Sequence, residues 1–453
     1  MKSIVCGAGV VGSSIAEKLS SEGLEVTVVD QSTELISKIN EKLDVKSILG
    51  NGSNPLILEK AGASDCDILI AVTQIDEVNM VACQVAHTVF NIPTKIARIR
   101  QQNYLKDDLP EEYKKNVLPL NAIISPEVEV AKAISRRLHA PGSFDMLELA
   151  GDRIKLIGLK CEKSCTILNM NIKEISKKFP EQLSNILLII RKEEHIVPNS
   201  ETKLQEGDNV YFVVETSHVK KAMTAFGHTE KESTNVIIVG GGNIGYNLAK
   251  NIENDHKSVS AKIIELDKKR SSWLASNLST TTVINGDALE SDILDEVNTS
   301  LAGSFISVTD DDEVNVLASL LAKRLGANES IALINNSSYI TMLNNIGIDI
   351  TIDPKDITIS TILQKIRRGN IRSLYTIGEG EVIEAVILKS SSFVNKNIKE
   401  IEFPKNVKVG SILRDNNIII PNSRTEFKTD DDVVFYAEKN SISKLEELLA
   451  IKE

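Results

Sequence analysis

The chain has 453 residues, a formal net charge of −11 at pH 7, 42% hydrophobic residues and 25% charged residues. This composition is typical of a globular protein and excludes a disordered chain, a collagen and a coiled coil. The acidic balance argues against nucleic acid as the main partner and against direct docking on an anionic membrane, because both surfaces bind basic proteins. The apolar runs are shorter than the about 20 residues that span a bilayer, and the N-terminus does not read as a signal peptide, so we expect a cytosolic protein.

The five cysteines are scattered and show no metal-binding spacing. An odd number of thiols without such spacing is typical of a reducing compartment, so we expect free or structural thiols. They are Cys6, Cys66, Cys83, Cys161 and Cys165.

The N-terminal region alternates strands and helices. Its hydrophobic pattern predicts strands at residues 4–6, 25–29, 68–72 and 94–98, and a helix at residues 13–22. Strands that alternate with helices predict βαβ crossovers and a mostly parallel, doubly wound sheet.

A different pattern follows. We predict a linking helix at residues 126–138, stopped by Pro141-Gly142, and then short strands separated by polar turns such as 206–208. This pattern indicates a small α+β domain. A second linking helix is predicted from about residue 358 to Arg368, ending at Gly369.

The chain repeats itself. Residues 2–12 (KSIVCGAGVVG) match 235–245 (NVIIVGGGNIG), and 71–79 (AVTQIDEVN) match 307–315 (SVTDDDEVN). Since residues of the α+β region also recur, we predict a duplicated two-domain unit. The predicted boundaries are residues 1–125, 126–228, 232–352 and 353–453.

The first copy carries Gly7-x-Gly9-x-x-Gly12 between a strand and a helix. In dinucleotide-binding domains the first glycine permits a tight turn, the second lets a diphosphate approach, and the third lets helix and strand pack. The diphosphate then lies at the helix N-terminus. Asp30 ends the next strand, where a carboxylate accepts hydrogen bonds from both ribose hydroxyls and repels a 2′-phosphate. The alternative is a glycine turn that serves packing alone.

The second copy is Gly240-x-Gly242-x-x-Gly245. Glu265 is the preferred ribose acid, rather than Asp267, because residues 263–265 align with 28–30. Two motifs, each with its acid, favour nucleotide binding, although one copy of a duplicated site can decay. The fold class is therefore α/β, with two Rossmann-like domains that each precede a small α+β domain.

Further residues lie at the predicted carboxyl edge of each sheet, where ligands bind. Turns 51–53 and 286–288 each follow a strand, and we expect them near the adenine. Thr73 and Thr309 are predicted to stand at the end of the strand at residues 68–72 and of its counterpart. Arg98, at the end of the strand at residues 94–98, is placed to contact a diphosphate or to form a salt bridge.

Other polar residues are better explained by structure. We expect Asp76 and Asp312 to be helix N-caps or first-turn acids, and the acidic run 310–313 to begin a helix rather than hold a cation. No histidine recurs between the copies, and no nucleophile motif is present, so we predict neither catalytic residues nor metal ligands. An NAD-dependent oxidoreductase is the alternative function, but it needs a placed acid or base.

The segments GAGVVGSSIAEKL, GNGSNP, AVTQIDEVNMVACQVA and KIARIR resemble the TrkA family of potassium uptake systems. The domain order is similar to that family's paired RCK-N and RCK-C domains, and the resemblance covers the whole chain. It implies a peripheral regulatory subunit on the cytosolic face of the membrane that binds NAD(H), with ATP or ADP as further candidates. It also implies gating of a separate, TrkH-like potassium-translocating subunit, and four lobes per chain suit self-association as a homodimer or higher oligomer.

The resemblance also implies two sets of cofactor-binding residues. The first is Gly7, Ala8, Gly9, Val10, Val11, Gly12, Asp30, Asn51, Thr73 and Arg98. The second is Gly240, Gly241, Gly242, Asn243, Ile244, Gly245 and Glu265. The second half aligns Leu333 with Arg98 and Asp287 with Asn51. Both differences make the local charge of the second site more negative, which predicts a weaker preference for ATP over NAD there.

Overall fold

The computed structural model describes all residues except 22, 106–119, 139, 141, 179–183, 229–233, 337–338, 340–342, 344–345, 367–370 and 450–453. The chain forms two compact units, one of Met1–Glu129 with Pro354–Arg367 and one of Val130–Asp353 with Arg368–Glu453. The predicted helix ends Glu22 and Arg368, and the predicted stop residues Pro141 and Gly369, lie outside the described residues.

The first domain is a six-stranded parallel sheet with the order β3-β2-β1-β4-β5-β6. The order reverses between β1 and β4, which creates the crevice where ligands bind in such sheets. The central strands are apolar and buried because helices cover both faces. The strands are β1 (Lys2–Cys6), β2 (Glu25–Asp30), β3 (Lys46–Leu49), β4 (Ile68–Ala71), β5 (Thr94–Arg98) and β6 (Ala122–Ile124), and the helices are α1 (Val10–Ser21), α2 (Thr33–Lys42), α3 (Pro55–Lys60) and α4 (Asp76–Thr88).

Helix α5 (Pro126–Arg137) leads to an antiparallel sheet with the order β10-β9-β11-β8-β7. Its inner face buries one apolar cluster that includes Ile157, Val210 and Phe212. The elements are β7 (Asp145–Leu149), β8 (Ile154–Lys160), α6 (Ile172–Lys178), β9 (Ser184–Arg191), β10 (Glu194–Ile196), β11 (Asn209–Glu215) and α7 (Val219–Ala225).

The third domain repeats the first, with the parallel order β14-β13-β12-β15-β16-β17. Its strands are β12 (Asn235–Val239), β13 (Ser260–Glu265), β14 (Thr282–Asn285), β15 (Ser304–Ser307), β16 (Glu329–Leu333) and β17 (Ile350–Ile352), and its helices are α8 (Asn243–Asp255), α9 (Lys268–Asn277), α10 (Ser291–Glu296) and α11 (Asp312–Leu325).

The fourth domain repeats the second, with the antiparallel order β18-β19-β22-β20-β21. The elements after the third domain are α12 (Pro354–Ile366), β18 (Ile371–Ile377), β19 (Gly380–Val386), β20 (Val407–Arg414), β21 (Asn417–Ile419), β22 (Asp432–Glu438) and α13 (Ile442–Leu449). The α/β duplication predicted from the sequence is confirmed by the two pairs of sheets.

The two α+β domains share one apolar core within the second unit. Leu156 and Val213 of the first pack in the same buried cluster as Val434 and Tyr436 of the second. A buried polar contact lies beside this core, where the Tyr375 hydroxyl donates to both carboxylate oxygens of Asp145, at 2.7 and 2.8 Å. Burial and the neighbouring Asp145 charge raise the pKa of Tyr375, so this hydroxyl stays protonated and keeps donating.

The linking helices cross between the halves. Helix α12 follows the third domain in sequence, but it packs against α1, β5 and β6 of the first domain. In the second unit, the Ser135 hydroxyl of α5 lies 3.0 Å from Nε2 of His256 in the third domain. Each Rossmann-like domain therefore contacts the linking helix that belongs to the other half of the chain.

Several boundaries differ from the sequence-based prediction. Helix α1 begins at Val10 rather than at residue 13, because the Ser13 N–H already bonds to the Gly9 carbonyl at 2.9 Å. The second linking helix begins at Pro354 rather than at about residue 358, since the fixed φ of proline suits a first helical position. All five cysteines are free and buried, as expected.

Candidate nucleotide-binding sites

In the first glycine turn, two glycines are required by the fold, and the third leaves space for a ligand. Gly7 has φ +114°, and a Cβ at Gly12 would lie 1.8 Å from the Gly7 carbonyl oxygen, so both positions need glycine for the fold itself. A Cβ at Gly9 would meet nothing within 4 Å. The space above Gly9 is therefore open to a ligand, beside the first turn of α1, where Val10, Val11 and Gly12 lie.

The second turn has the same geometry. Gly240 has φ +95°, a Cβ at Gly245 would lie 1.9 Å from the Gly240 carbonyl oxygen, and a Cβ at Gly242 would meet nothing within 4 Å. Gly242 is the N-cap of α8 and supplies no side-chain cap. The first-turn amides of Asn243, Ile244 and Gly245 are thus suited to an anion.

In each half, an acid at the end of the second strand accepts a hydrogen bond from the glycine turn. Asp30 accepts hydrogen bonds from the Ala8 N–H at 2.7 Å and the Ser32 N–H at 2.8 Å. Both carboxylate oxygens are engaged, but each keeps a lone pair, which suits a ribose hydroxyl.

Glu265 repeats this arrangement. It accepts from the Gly241 N–H at 2.7 Å and the Asp267 N–H at 2.8 Å. The Asp267 carboxylate instead caps α9 by accepting from the Arg270 N–H at 2.7 Å. Glu265 is therefore the structural counterpart of Asp30, as its alignment predicted.

The turns after the third strands are also equivalent. The Asn51 side-chain oxygen accepts from the Ser53 N–H at 2.9 Å, and Asp287 accepts from the Leu289 N–H at 2.9 Å. A Cβ at Gly52 would lie 2.8 Å from Cys6, so this turn passes directly over the end of β1.

A buried asparagine ties together the ends of the fourth and fifth strands. Oδ1 of Asn79 accepts from the Thr73 N–H at 2.9 Å and the Thr73 hydroxyl at 2.7 Å, while its Nδ2 donates to the Arg98 carbonyl at 2.9 Å. Thr73 lies two residues beyond β4, which ends at Ala71, and a Cβ at Gly7 would lie 3.0 Å from its nitrogen. The structure thus brings the glycine turn, Thr73 and Arg98 to one edge of the sheet.

The second half contains the same network. Asn315 bonds to Thr309 at 2.9 and 2.7 Å and to the Leu333 carbonyl at 2.9 Å. Thr309 likewise lies two residues beyond its strand, which ends at Ser307. Leu333 is therefore the counterpart of Arg98.

The Arg98 side chain is partly buried. Burial lowers the pKa of its guanidinium, and the neighbouring Arg100 charge lowers it further. Among the described residues, its Nε has no hydrogen-bond partner. A cation placed in this way is stabilised by an anion that reaches the carboxyl edge of the sheet.

The two first-turn acids are structural. Asp76 is the first residue of α4, and its N-cap is Ile75, so the N-cap alternative was wrong. The carboxylate of Asp76 accepts from the backbone of Arg100 and Gln101 at 2.9 and 2.8 Å. It therefore anchors the loop that follows β5.

The acidic run of the second half has the same role. Asp311 is the N-cap of α11, and Asp312 accepts from the backbone N–H groups of Asn335 and Asn336, each at 2.8 Å. Asp311 and Asp312 are therefore used within the protein, as the structural interpretation predicted.

One cation near the second turn was missed from the sequence. Nε of Arg270 donates to the Gly241 carbonyl at 2.7 Å, and Nη2 donates to the Gly242 carbonyl at 3.3 Å. Its guanidinium carbon lies 4.2 Å from the centre of the Trp273 ring. In the sequence, this cation is visible only as the last residue of the basic run Lys268–Arg270, which follows Glu265. The run by itself does not indicate which of its residues reaches the glycine turn.

Two family models match the chain. The TrkA-N domain model matches residues 3–126 and 236–354, and the TrkA-C domain model matches residues 156–227 and 382–450. The chain belongs to the TrkA family. TrkA proteins are regulatory components of potassium uptake rather than enzymes, and family membership therefore confirms the prediction that the chain is not an enzyme.

Curated TrkA relatives align over the full length. The chain is 37% identical to the Trk system potassium uptake protein TrkA of Azorhizobium caulinodans, over 100% of this chain and 99% of the relative. It is 35% identical to that of Halomonas elongata, over 100% and 99%.

Solved structures share the fold at low identity. The GsuK RCK domain matches with a TM-score of 0.59 and 16% identity, covering 100% of this chain and 95% of that one. A GsuK channel bound to NAD matches with a TM-score of 0.60 and 15% identity, covering 100% and 79%. In the described part of the TrkA-family chain, no helix has the length and hydropathy needed to cross a membrane.

Proposed function

We propose that this TrkA-family chain senses adenosine nucleotides at both Rossmann-like domains and gates a separate, TrkH-like potassium-translocating membrane subunit. The ligands are NAD(H) and, as further candidates, ATP and ADP. The chain acts on the cytosolic face of the membrane, which it reaches through its protein partner, and it self-associates as a dimer or higher oligomer.

One observation carries the nucleotide assignment. Each turn has two glycines that the fold itself requires and one, Gly9 or Gly242, that faces open space. A diphosphate at that position meets the uncapped amides of a helix N-terminus, while Asp30 or Glu265 holds the adenosine ribose. The structure of similar fold with NAD bound is consistent with this ligand class.

The proposed sites are coupled to the rest of the sheet. Asn79 joins the loop that starts at Thr73 to the end of β5, so a ligand that displaces Thr73 also displaces the strand that carries Arg98. A change of this kind shifts the population of conformations that the membrane partner meets, provided that the ligand binds one conformation more tightly.

The binding test uses the open glycines. Gly9→Ala and Gly242→Ala place a methyl group where the diphosphate should lie, yet neither Cβ meets a protein atom within 4 Å. We expect equilibrium dialysis to show two NADH molecules per wild-type chain, one in each single variant and none in the double variant. Circular dichroism should show unchanged folding in all four proteins. Wild-type NADH binding by the double variant would contradict the proposed sites, and parallel titrations with NAD, ADP and ATP rank the candidate ligands.

The partner test uses the full chain. We expect a potassium-translocating membrane protein to copurify with it from source-cell membranes, to an extent that depends on NADH. Liposomes of anionic lipid without protein should leave it unbound at physiological salt, because the net charge is −11. Binding to such liposomes would contradict attachment through a protein partner.

A further inference from the structure

Arg270 distinguishes the second candidate site from the first. Its backbone N–H bonds to Asp267, the N-cap of α9, just as the Leu35 N–H bonds to Ser32, the N-cap of α2. Leu35 and Arg270 therefore occupy equivalent positions, so the second turn has a guanidinium where the first has an aliphatic side chain.

The Arg270 side chain is held in place from two directions. One edge of its planar fork, formed by Nε and Nη2, donates to the carbonyls of Gly241 and Gly242. One face stacks on Trp273, whose ring lies 4.9 Å from that of Tyr246. A guanidinium has a second edge, formed by Nη1 and Nη2, which points away from those two carbonyls. This edge has the spacing that binds a phosphate through two parallel hydrogen bonds.

The ribose acid and this cation both bond to Gly241. Glu265 accepts from the Gly241 N–H, and Arg270 donates to the Gly241 carbonyl. A ribose held by Glu265 therefore lies next to the guanidinium. In the first half, the first basic residue along α2 is Lys38, which pairs with Glu34 at 2.6 Å.

We propose that Arg270 is a specificity-determining residue that lets the second site accept an adenosine ribose carrying a 2′-phosphate. An acid at the end of the second strand disfavours that phosphate, and an arginine nearby accommodates it. Next to its acid the first site has Leu35, whereas the second has Arg270. The ratio of NADPH affinity to NADH affinity is therefore higher at the second site, by about tenfold for one charge-assisted bidentate contact. This inference rests on the proposed nucleotide binding.

The experiment uses full-length chains with one site each. Gly9→Ala leaves the second site, Gly242→Ala leaves the first, and calorimetry gives the NADH and NADPH affinities of both. Trp273 is the chain's single tryptophan, so quenching of its fluorescence independently reports ligand at the second site.

Three substitutions in the Gly9→Ala chain isolate the guanidinium. Arg270→Leu, which introduces the residue of the first half, should weaken NADPH about tenfold and NADH by less than about threefold. Arg270→Lys keeps the charge but loses the fork, and should weaken NADPH by an intermediate amount. Lys269→Leu removes the same charge from an exposed neighbour and should change neither affinity.

The outcomes separate this inference from the proposed function. NADH binding to both single-site chains with equal NADPH-to-NADH ratios would overturn the role of Arg270 and leave the proposed function standing. Equal effects of Arg270→Leu on both cofactors would do the same. If the second-site chain bound neither cofactor, both the inference and nucleotide binding in the second half would be overturned.

Discussion

Replacing Glu253 with glutamine should destabilise the second Rossmann-like domain in a way that depends on pH. Glu253 lies on α8, and its Oε1 accepts the backbone N–H groups of Ser279, Thr280 and Thr281 at 2.8, 2.8 and 2.9 Å. Burial raises the pKa of this carboxyl, but the three N–H groups and the Thr281 hydroxyl outweigh burial and lower it to about 2. The loop before β14 is thus held on α8 by one charged oxygen.

The magnitude follows from linkage. The pKa falls from 4.5 to about 2 on folding, and at about 1.4 kcal/mol per unit this corresponds to about 3 kcal/mol of the free energy of unfolding. Because the folded pKa is the lower one, this stability is fully present above pH 4.5 and is lost as pH falls toward 2. The side chain is only 7% exposed, so solvent screens little of it.

Trp273 lies in the same domain and reports its unfolding in urea by fluorescence. At pH 7, Glu253→Gln should lower the free energy of unfolding by about 3 kcal/mol, and the difference from wild type should shrink steadily between pH 4.5 and 2. Glu296→Gln, at an exposed position on α10, is the control and should change it by less than about 0.5 kcal/mol. A loss at pH 7 no larger than that of the control, or a loss that does not vary with pH, would refute the charge argument.

Three further outcomes are expected. Gly12→Ala should destabilise the first domain by about 3 kcal/mol in thermal unfolding, because its methyl group would lie 1.8 Å from the Gly7 carbonyl oxygen; an unchanged melting temperature would contradict that packing. Asp30→Ala should weaken NADH binding by about 2 kcal/mol in calorimetry on the Gly242→Ala chain, and unchanged affinity would mean that the ribose is held elsewhere. Burial lowers the pKa of Lys408 to about 8 from 10.5, so the melting temperature of the wild type should rise relative to that of Lys408→Met between pH 8 and 10.5; because Nζ also donates to the Pro198 carbonyl at 3.0 Å, a difference that does not vary over this pH range is the result that would contradict the burial cost.

The sequence predicted the features that depend on short segments. The glycine turns, their acids and the alternation of strands and helices each depend on a few neighbouring residues. Because the chain is duplicated, each of these features could be recognised in two copies. Even the choice of Glu265 over Asp267 followed from aligning three residues. The identity of the fold and the geometry of the turns were therefore predictable.

The remaining features depend on residues that are distant in sequence. Nothing near Asn79 indicates that its amide reaches the Arg98 carbonyl, since that contact depends on the spacing of two parallel strands. In the sequence, Arg270 is one of three consecutive basic residues. The helical geometry of α9 determines that Arg270, rather than Lys268 or Lys269, donates to the Gly241 carbonyl. The sequence-based charge comparison of the two sites omitted this cation, which opposes the difference between Arg98 and Leu333.

The crossing of the linking helices restricts how the chain can be divided. A fragment cut after the second domain would lack α12, and the surfaces of α1, β5 and β6 that this helix covers would meet water. The complementary fragment would lack Ser135, whose hydroxyl lies 3.0 Å from Nε2 of His256. The gene is a tandem duplication, but neither copy encodes all the surfaces that its own product needs. Excision of one half by recombination would therefore yield an incomplete protein, so the duplicated state is structurally hard to reverse.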